Sequence, residues 1–358
     1  MKSIIFSDAH IHPHKGKVER LNDCLKVLEW VFNTAEERDI KTILFCGDLF
    51  HDKQKIDVLT YQKTFEVFVK KMPGKKFYLL LGNHDMYSRE KWDISSAAPL
   101  AAIPGVTVVD RPCSLDIDGY EVGFLPYTHN PPEDLKKIKI ESDFKVLLAH
   151  VAVDGALWNL VHSTIADVAI EHDGEMVKVT PDVFDDYDQV FLGHYHAEQK
   201  LTKSVEYVGS PLQLNFGETE QQKHIIEYDF ETHKKKYIKN NFSPVHLVLT
   251  EKDDILSFDL ENNFIRIVSE DISSSELIGL KNEVLQKNLG SLEIKQKPKK
   301  TEDDLKMVED AKSILSTGDQ MLQKFIESLT EEQFEKYFGK EKVDKKKLLE
   351  FGKQCIEV

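Results

Sequence analysis

Five short stretches of the chain each end an apolar run in side chains that bind metals: Asp8-Ala9-His10, Gly47-Asp48, Gly82-Asn83-His84-Asp85, His150 and Gly193-His194-Tyr195-His196. Carboxylate and amide oxygens mixed with imidazole nitrogens, with no thiolate pair, suit Mn²⁺, Zn²⁺ or Fe²⁺ better than Ca²⁺. The candidate ligands are Asp8, His10, Asp48, Asn83, His150, His194 and His196. Two divalent ions about 3.5 to 4 Å apart clamp a phosphodiester, generate hydroxide at neutral pH and stabilise charge at the attacked phosphorus. Such a pair needs one carboxylate that reaches both ions, and Asp48 is the candidate bridge. His84 lies between Asn83 and Asp85, so the Asp85 carboxylate can fix its tautomer while the imidazole faces the scissile phosphate; His84 is the candidate general acid. A lone histidine is more often structural than ligating, and the metal reading rests on four of them falling at equivalent places beside Asp and Asn. His12, His14, His129, His162, His172, His224, His233 and His246 have no such context and read as surface or packing residues.

Position gives those residue types their meaning. Residues 3–7, 42–46, 77–81, 145–149 and 189–192 are short runs rich in Ile, Val, Leu and Phe, which read as buried strands. In open α/β sheets the ligand site lies beyond the carboxyl ends of the strands, and each polar cluster follows the last apolar residue of its run. Gly47, Gly82 and Gly193 stand between strand and ligand, where the lack of a Cβ permits a sharp turn and a close approach to a metal. Leu21, Cys24, Leu25, Leu28, Val31, Phe32 and Ala35 recur at helical spacing, as do Val58, Tyr61, Phe65, Phe68 and Met72, with Pro73-Gly74 as the stop. Crossover helices of this kind make the first three strands parallel.

From 119 to 126 and from 205 to 239 the pattern changes to short alternating runs, including a hairpin of 224–230 with 235–238. These predict a second sheet packed on the first. A boundary falls near Asn240-Asn241-Phe242-Ser243-Pro244, so the expected division is a catalytic domain at 1–243 and a small α/β unit at 244–295. A lysine-rich linker follows at 296–303, then a helical region at 304–358 with stripes at Leu305, Val308, Ala311 and Leu315 and at Leu322, Phe325, Ile326 and Leu329. A tethered amphipathic tail is the form a partner-docking element takes, and equally that of a bundle folding back on its own protein.

With 358 residues, 41% of them hydrophobic and 30% charged, the chain has the composition of an ordinary globular protein larger than one typical domain. No run approaches membrane-spanning length and the first residues lack a signal-peptide core, so a cytoplasmic protein with no membrane partner is expected. Cys24, Cys46, Cys113 and Cys355 form no Cys-x-x-Cys pair, which argues against a disulfide framework and a thiolate zinc site. A net charge of −15 disfavours loose adhesion to nucleic acid but does not decide what one face binds. Cations follow three of the motifs: Lys15, Lys17 and Arg20; Lys53 and Lys55; Arg89 and Lys91. Around a phosphodiesterase site they would form a basic rim suited to a DNA backbone, the alternative being scattered solvated charge.

In this order the motifs resemble the calcineurin-like metallophosphoesterase superfamily over residues 1–240. Gly47-Asp48-Leu49-Phe50-His51-Asp52 is similar to Mre11/SbcD-type nucleases rather than to phosphoprotein phosphatases, which carry Asp-Arg after this aspartate. Residues 186–196, ending Gly193-His194-Tyr195-His196, and Tyr207-Val208-Gly209-Ser210-Pro211 match the same group. Where those nucleases have Asp-Trp-His, this chain has Asp8-Ala9-His10, followed by a histidine-rich loop. The resemblance implies a two-sheet α/β sandwich flanked by helices, with a capping domain and a helical tail. It implies one metal on Asp8, His10, Asp48 and His196 and the other on Asp48, Asn83, His150 and His194, with Mn²⁺ as the metal. It further implies that His84 assists the leaving group and that His51 supports exonuclease action. The activity implied is double-strand 3′ to 5′ exonuclease and single-strand endonuclease, in a homodimer whose tail binds a Rad50/SbcC-type ATPase. The compact length is similar to that of phage recombination nucleases of this group.

Overall fold

The computed structural model describes residues 1–14, 16–88, 91–159, 164–165, 169–172, 175–250, 253, 255–269, 279, 281–282, 284 and 291–296. The chain divides into two units, Met1–Lys295 and Gln296–Val358. Of the linker expected at 296–303 only Gln296 is described, as the last residue of a strand; the rest of it and the tail at 304–358 lie outside the described residues.

Five strands carry the motifs: β1 (Lys2–Phe6), β2 (Thr42–Phe45), β3 (Lys76–Leu80), β4 (Val146–His150) and β5 (Gln189–Gly193). β1, β2 and β3 lie side by side in parallel, joined by the crossover helices α1 (Val18–Glu37) and α2 (Val58–Lys71). Their sheet is extended by Val106–Val109 on one edge and, on the other, by the antiparallel hairpin His224–Asp229 with Lys234–Lys239. β4 and β5 form the centre of a second six-stranded sheet, parallel to each other and to Tyr120–Leu125 and Val205–Tyr207.

Both faces of these strands are covered, which is why they read as unbroken apolar runs. Alternate residues serve different cores. Ile4, Phe6, Ile43, Phe45, Phe77 and Leu79 pack under α1 and α2. Ile5, Leu44 and Leu80 face the second sheet and meet Val122, Phe124, Leu148 and Phe191. Leu147, Ala149, Val190 and Leu192 close the outer side of the second sheet. Burial of a Leu, Ile or Phe side chain is worth about 1.5–3 kcal/mol, so a one-residue slip of any strand would exchange two cores at once. α1 has no capping side chain at its start and is held by its buried face, whereas the Asp57 side chain accepts the Thr60 N–H at 2.9 Å to cap α2.

The expected second sheet is present, but the hairpin is not part of it: His224–Asp229 pairs with β1 and extends the first sheet. The strand pairs between residues 157 and 178, and the hairpin Met86–Ser88 with Lys91–Ser95, lie outside the runs expected to be strands. Past residue 244, strands His246–Thr250, Phe264–Ser269 and Ser291–Gln296 form a separate three-stranded sheet over a core of Leu249, Ile255, Leu260, Ile265, Ile267 and Val284. Among the described residues no helix is long and apolar enough to cross a membrane.

Candidate metal centre

The loops leaving β1 and β2 are stitched to each other before any side chain is considered. Asp8 and His10 donate their backbone N–H groups to the carbonyls of Gly47 and Asp48 at 2.9 and 3.0 Å, and Ile11 donates to Leu49 at 2.8 Å. Asp8, His10, Asp48 and His194 all sit at positive φ, between 42° and 108°. Left-handed backbone is unusual for residues with a Cβ and clusters where a site fixes the direction of a side chain. Strain in these loops turns four polar side chains off the strand direction and into one place.

The glycines do something other than what their position suggested. Gly47 takes the left-handed conformation, φ +103°, but Gly82 and Gly193 do not. What all three share is crowding. A Cβ on Gly47 would stand 2.5 Å from His150 Nδ1, one on Gly82 would collide with the Asp48 carboxylate, and one on Gly193 would collide with Ser7 Oγ and the Cys46 carbonyl. They make room for Asp48, His150 and the strand-end backbone around them.

Asp48 is central. Its Oδ1 accepts the His84 N–H at 2.7 Å, which turns Oδ2 toward His150 Nε2, 3.4 Å away, and His10 Nε2, 3.6 Å away. His10 Nε2 also lies 3.0 Å from His196 Nε2 and 3.8 Å from Asp8 Oδ1. On the other side, Asn83 Oδ1 is 3.1 Å from His150 Nε2 and 3.0 Å from His194 Nδ1. The seven candidate ligands therefore form one cluster, with Asp48 between Asp8, His10 and His196 on one flank and Asn83, His150 and His194 on the other. Two trios, Asp8 with His10 and His196, and Asp8 with Asp48 and His150, each present ligand atoms within 4.8 Å of one another.

The donor set fits divalent cations on chemical grounds. His150 Nδ1 bonds the Cys46 carbonyl at 2.7 Å and His196 Nδ1 bonds Glu218 Oε1 at 2.9 Å. Each neutral ring must be the donor there, which leaves its Nε2 as a lone pair. The His150 lone pair faces two oxygens, Asn83 Oδ1 and Asp48 Oδ2, and acceptors aimed at acceptors need a proton or a cation between them. The His196 Nε2 lone pair points at His10 Nε2, 3.0 Å away. The protonation tendencies show the same deficit. Burial alone would lower His150, yet the Asp48 and Asp8 carboxylates push it up to about 9. Burial would likewise raise Asp48, but His150, His10 and His84 hold it well below the usual carboxylate range. Burial pushes His194 down to about 3 and keeps His10 neutral as well.

Asp85 corrects one expectation. Its carboxylate does not touch His84; it accepts the backbone N–H groups of Asp48, Leu49 and Gly82 at 2.8, 2.9 and 2.9 Å. Fully buried and close to Asp48, it is pushed up to about 7. His84 Nδ1 instead meets the backbone carbonyl of His51, which fixes that tautomer from the neighbouring loop and leaves Nε2 open. The His84 and His51 rings lie 4.8 and 5.4 Å from that of His10.

His12 and His14, read as surface or packing residues, belong to the same wall, with rings 5.0 and 5.6 Å from His51. The run of histidine directly after a ligand was the available signal. The basic rim needs a larger correction. Arg20 is 2% exposed, donates to the Gln213 carbonyl and lies over the Phe264 ring at 4.9 Å, so it joins α1 to the small sheet and presents no charge to a substrate. Lys17 and Lys55 are exposed and Lys53 half-buried. Lys91 begins the strand Lys91–Ser95, and Lys15 and Arg89 lie outside the described residues. Glu218 carries no mark in the sequence, because a glutamate closing a short 3₁₀ turn 22 residues after His196 has no spacing that sets it apart.

A site of clustered carboxylate, amide and imidazole at the ends of parallel strands from two packed sheets is that of a metal-dependent phosphoesterase. Residues 1–198 match the calcineurin-like phosphoesterase family, and the chain belongs to it. Its members use divalent metals to hydrolyse phosphoesters. The chain is similar to exonuclease subunit 1 of Enterobacteria phage T4, 24% identical over 247 residues that cover 67% of this chain and 68% of the relative. A second relative, named as an inferred phosphoesterase, 244L, of Invertebrate iridescent virus 6, is 24% identical over 230 residues, 61% of this chain and 73% of its own. Among solved structures, a hypothetical protein from Thermus thermophilus matches with a TM-score of 0.38 at 14% identity, covering 67% of this chain and 98% of the other.

Proposed function

We propose that this chain is the nuclease subunit of a DNA end-processing complex, a Mn²⁺-dependent two-metal phosphodiesterase acting on double-strand ends and single strands. The observation that carries the catalytic part is the position of Asp48, whose Oδ2 lies within 3.6 Å of imidazoles on both flanks of the cluster. In this reading Asp8, His10, Asp48 and His196 hold one ion and Asp48, Asn83, His150 and His194 the other. When bound, the ions supply a hydroxide nucleophile and offset the charge that develops on phosphorus. The chain's own contributions are separate. Asp85 holds the Asp48 and Gly82 loops in register, and the His51 carbonyl accepts His84 Nδ1–H and so fixes the ring; it is the doubly protonated His84 that presents an Nε2–H, which it gives up to the leaving oxygen, returning to the neutral Nδ1–H form.

The DNA substrate is supported by the phage relative, whose name is that of an exonuclease subunit, and by Lys17, Lys53 and Lys55 on the loops beside the cluster. The word subunit supports a partner, here a Rad50/SbcC-type ATPase bound by residues 304–358, with residues 244–295 as the capping domain of a homodimer. One observation favours a smaller phosphodiester substrate instead: Arg20 is occupied within the fold, which thins the basic rim.

The deciding experiment pairs an end-labelled DNA duplex with bis-p-nitrophenyl phosphate, each with Mn²⁺, using the full chain and Asp48→Ala. DNA shortening by wild type and none by Asp48→Ala is the expected result. Hydrolysis of the small ester with intact DNA would select the smaller substrate, and an active Asp48→Ala protein would remove the bridging assignment. For the partner, Glu in place of Phe325 and Leu329 should release the ATPase while Mn²⁺-dependent hydrolysis persists.

A further inference from the structure

The structure assigns to Glu218 and Lys223, both beyond the part of the chain that matches the family, a joint positioning role: they aim His196 at the metal pair. The inference rests on the two-metal reading above.

Glu218 is 5% exposed and all of its acceptor capacity toward the protein is used. Oε1 accepts His196 Nδ1 at 2.9 Å and Asn215 Nδ2 at 3.1 Å. Oε2 accepts the Leu214 N–H at 3.1 Å and Ser210 Oγ at 3.2 Å and lies in an ion pair with Lys223 Nζ at 2.8 Å. The bond to Nδ1 sits on the edge of the ring opposite Nε2, which faces His10 at 3.0 Å. Glu218 is therefore behind the ligand and not among the ligands. A carboxylate in that place fixes the tautomer, sets the ring plane and makes the far nitrogen a better donor to a metal.

Lys223 holds the same residue by its main chain. Its Nζ donates to the His196 carbonyl at 2.8 Å, to Ser210 Oγ at 2.9 Å and to Gln221 Oε1 at 2.8 Å, besides the ion pair with Glu218. The Ser210 N–H also reaches the His196 carbonyl, at 3.1 Å. Gly209, at φ +75°, allows that approach, since a Cβ there would stand 2.9 Å from the same carbonyl oxygen. His196 is thus clamped twice, its ring by Glu218 and its backbone by Lys223, and the two clamps are joined to each other. The turn that carries Glu218 is anchored on its outer side, where Thr219 Oγ1 bonds the His246 carbonyl at 2.6 Å and the Arg266 guanidinium lies 4.0 Å above the Phe216 ring.

A buried Glu–Lys pair could serve stability alone, so the test separates the two roles. Mn²⁺ is titrated calorimetrically into the metal-free full chain, into Glu218→Gln and into Glu218→Gln/Lys223→Met, and urea unfolding of the metal-free proteins is recorded beside it. Glu218→Gln leaves Lys223 charged, buried and without its counter-ion, so it loses stability. The double variant removes that charge and regains stability. The expected result is two Mn²⁺ sites in wild type, one of them weakened about 10- to 100-fold in Glu218→Gln and still weakened in the double variant. Affinity that returns to the wild-type value when stability does, or that never falls in Glu218→Gln, would reduce the pair to a structural contact and overturn the inference. Wild-type protein that takes up fewer than two Mn²⁺ would instead refute the two-metal reading beneath it.

Discussion

Asp85 accepts the backbone N–H of Asp48 at 2.8 Å while lying only three residues past Gly82, whose N–H it also accepts at 2.9 Å. One carboxylate thus fastens the ends of β2 and β3 together at Asp48. Asp85→Ala would orphan three buried amides, and each such group costs about 1–3 kcal/mol. The unfolding free energy should fall by roughly 3 kcal/mol or more, with Asp85→Asn in between because one acceptor oxygen remains. Urea denaturation of the metal-free protein measures this directly. A loss below about 1 kcal/mol in Asp85→Ala would mean the amides find other partners.

Gly193→Ala tests whether the glycines make space for side chains. The new methyl would meet the Cys46 carbonyl, the same oxygen that receives His150 Nδ1 at 2.7 Å. Overpacking of a filled core costs about 1–3 kcal/mol, and relief by movement of the β2 end would carry His150 with it. We expect lower thermal stability together with weaker Mn²⁺ binding. Normal metal affinity in a destabilised Gly193→Ala protein would detach the glycine from the ligand.

Why some of this was readable in the sequence and some was not follows from distance along the chain. The strands were legible because both of their faces are buried, so their apolar runs are continuous, and the clustering of the candidate ligands was legible because each stands at or just past the end of its strand. Asp85 has an equally local position, yet its partners are the backbones of Asp48 and Leu49, 37 and 36 residues earlier, and backbone donors leave no mark on residue type. Arg20 misled for the opposite reason. Its charge and its place after the first motif look like a substrate contact, but the groups that engage it, Gln213 and Phe264, are supplied by distant segments. Glu218 combines both difficulties, being in a loop and meaningful only once His196 is placed.

His84 allows chemistry to be separated from metal binding. Its contact with Asp48 uses the backbone N–H, at 2.7 Å, and survives replacement of the side chain. His84→Gln should therefore keep two Mn²⁺ bound at near wild-type affinity while kcat falls by roughly 10²- to 10⁴-fold, the usual worth of a proton-transferring group. Calorimetry and single-turnover hydrolysis, run on the same preparation, read the two quantities independently. A parallel loss of one metal would make His84 a ligand.

Acid should loosen the packing of the small sheet through one buried histidine. His246 is 5% exposed, stacked on Phe264 with ring centroids 4.7 Å apart, and its Nδ1 has no hydrogen-bond partner. Burial, reinforced by the charge of Arg20, pushes it down to about 3, with Arg266 and Lys223 acting the same way and Glu218 opposing. The folded state thus favours the neutral ring, while the unfolded chain takes up a proton near pH 6.5. The stability contributed is complete above about pH 6.5 and is lost as pH falls from there toward about 3. At pH 5 the loss from this one group is roughly 2 kcal/mol. His246→Phe keeps an aromatic ring against Phe264 and removes the titration. The drop in unfolding free energy between pH 7.5 and pH 5 should therefore be smaller in His246→Phe than in wild type by roughly 2 kcal/mol. Equal drops in the two proteins would show that His246 is not the group whose protonation loosens the contact between α1, Phe216 and the three-stranded sheet.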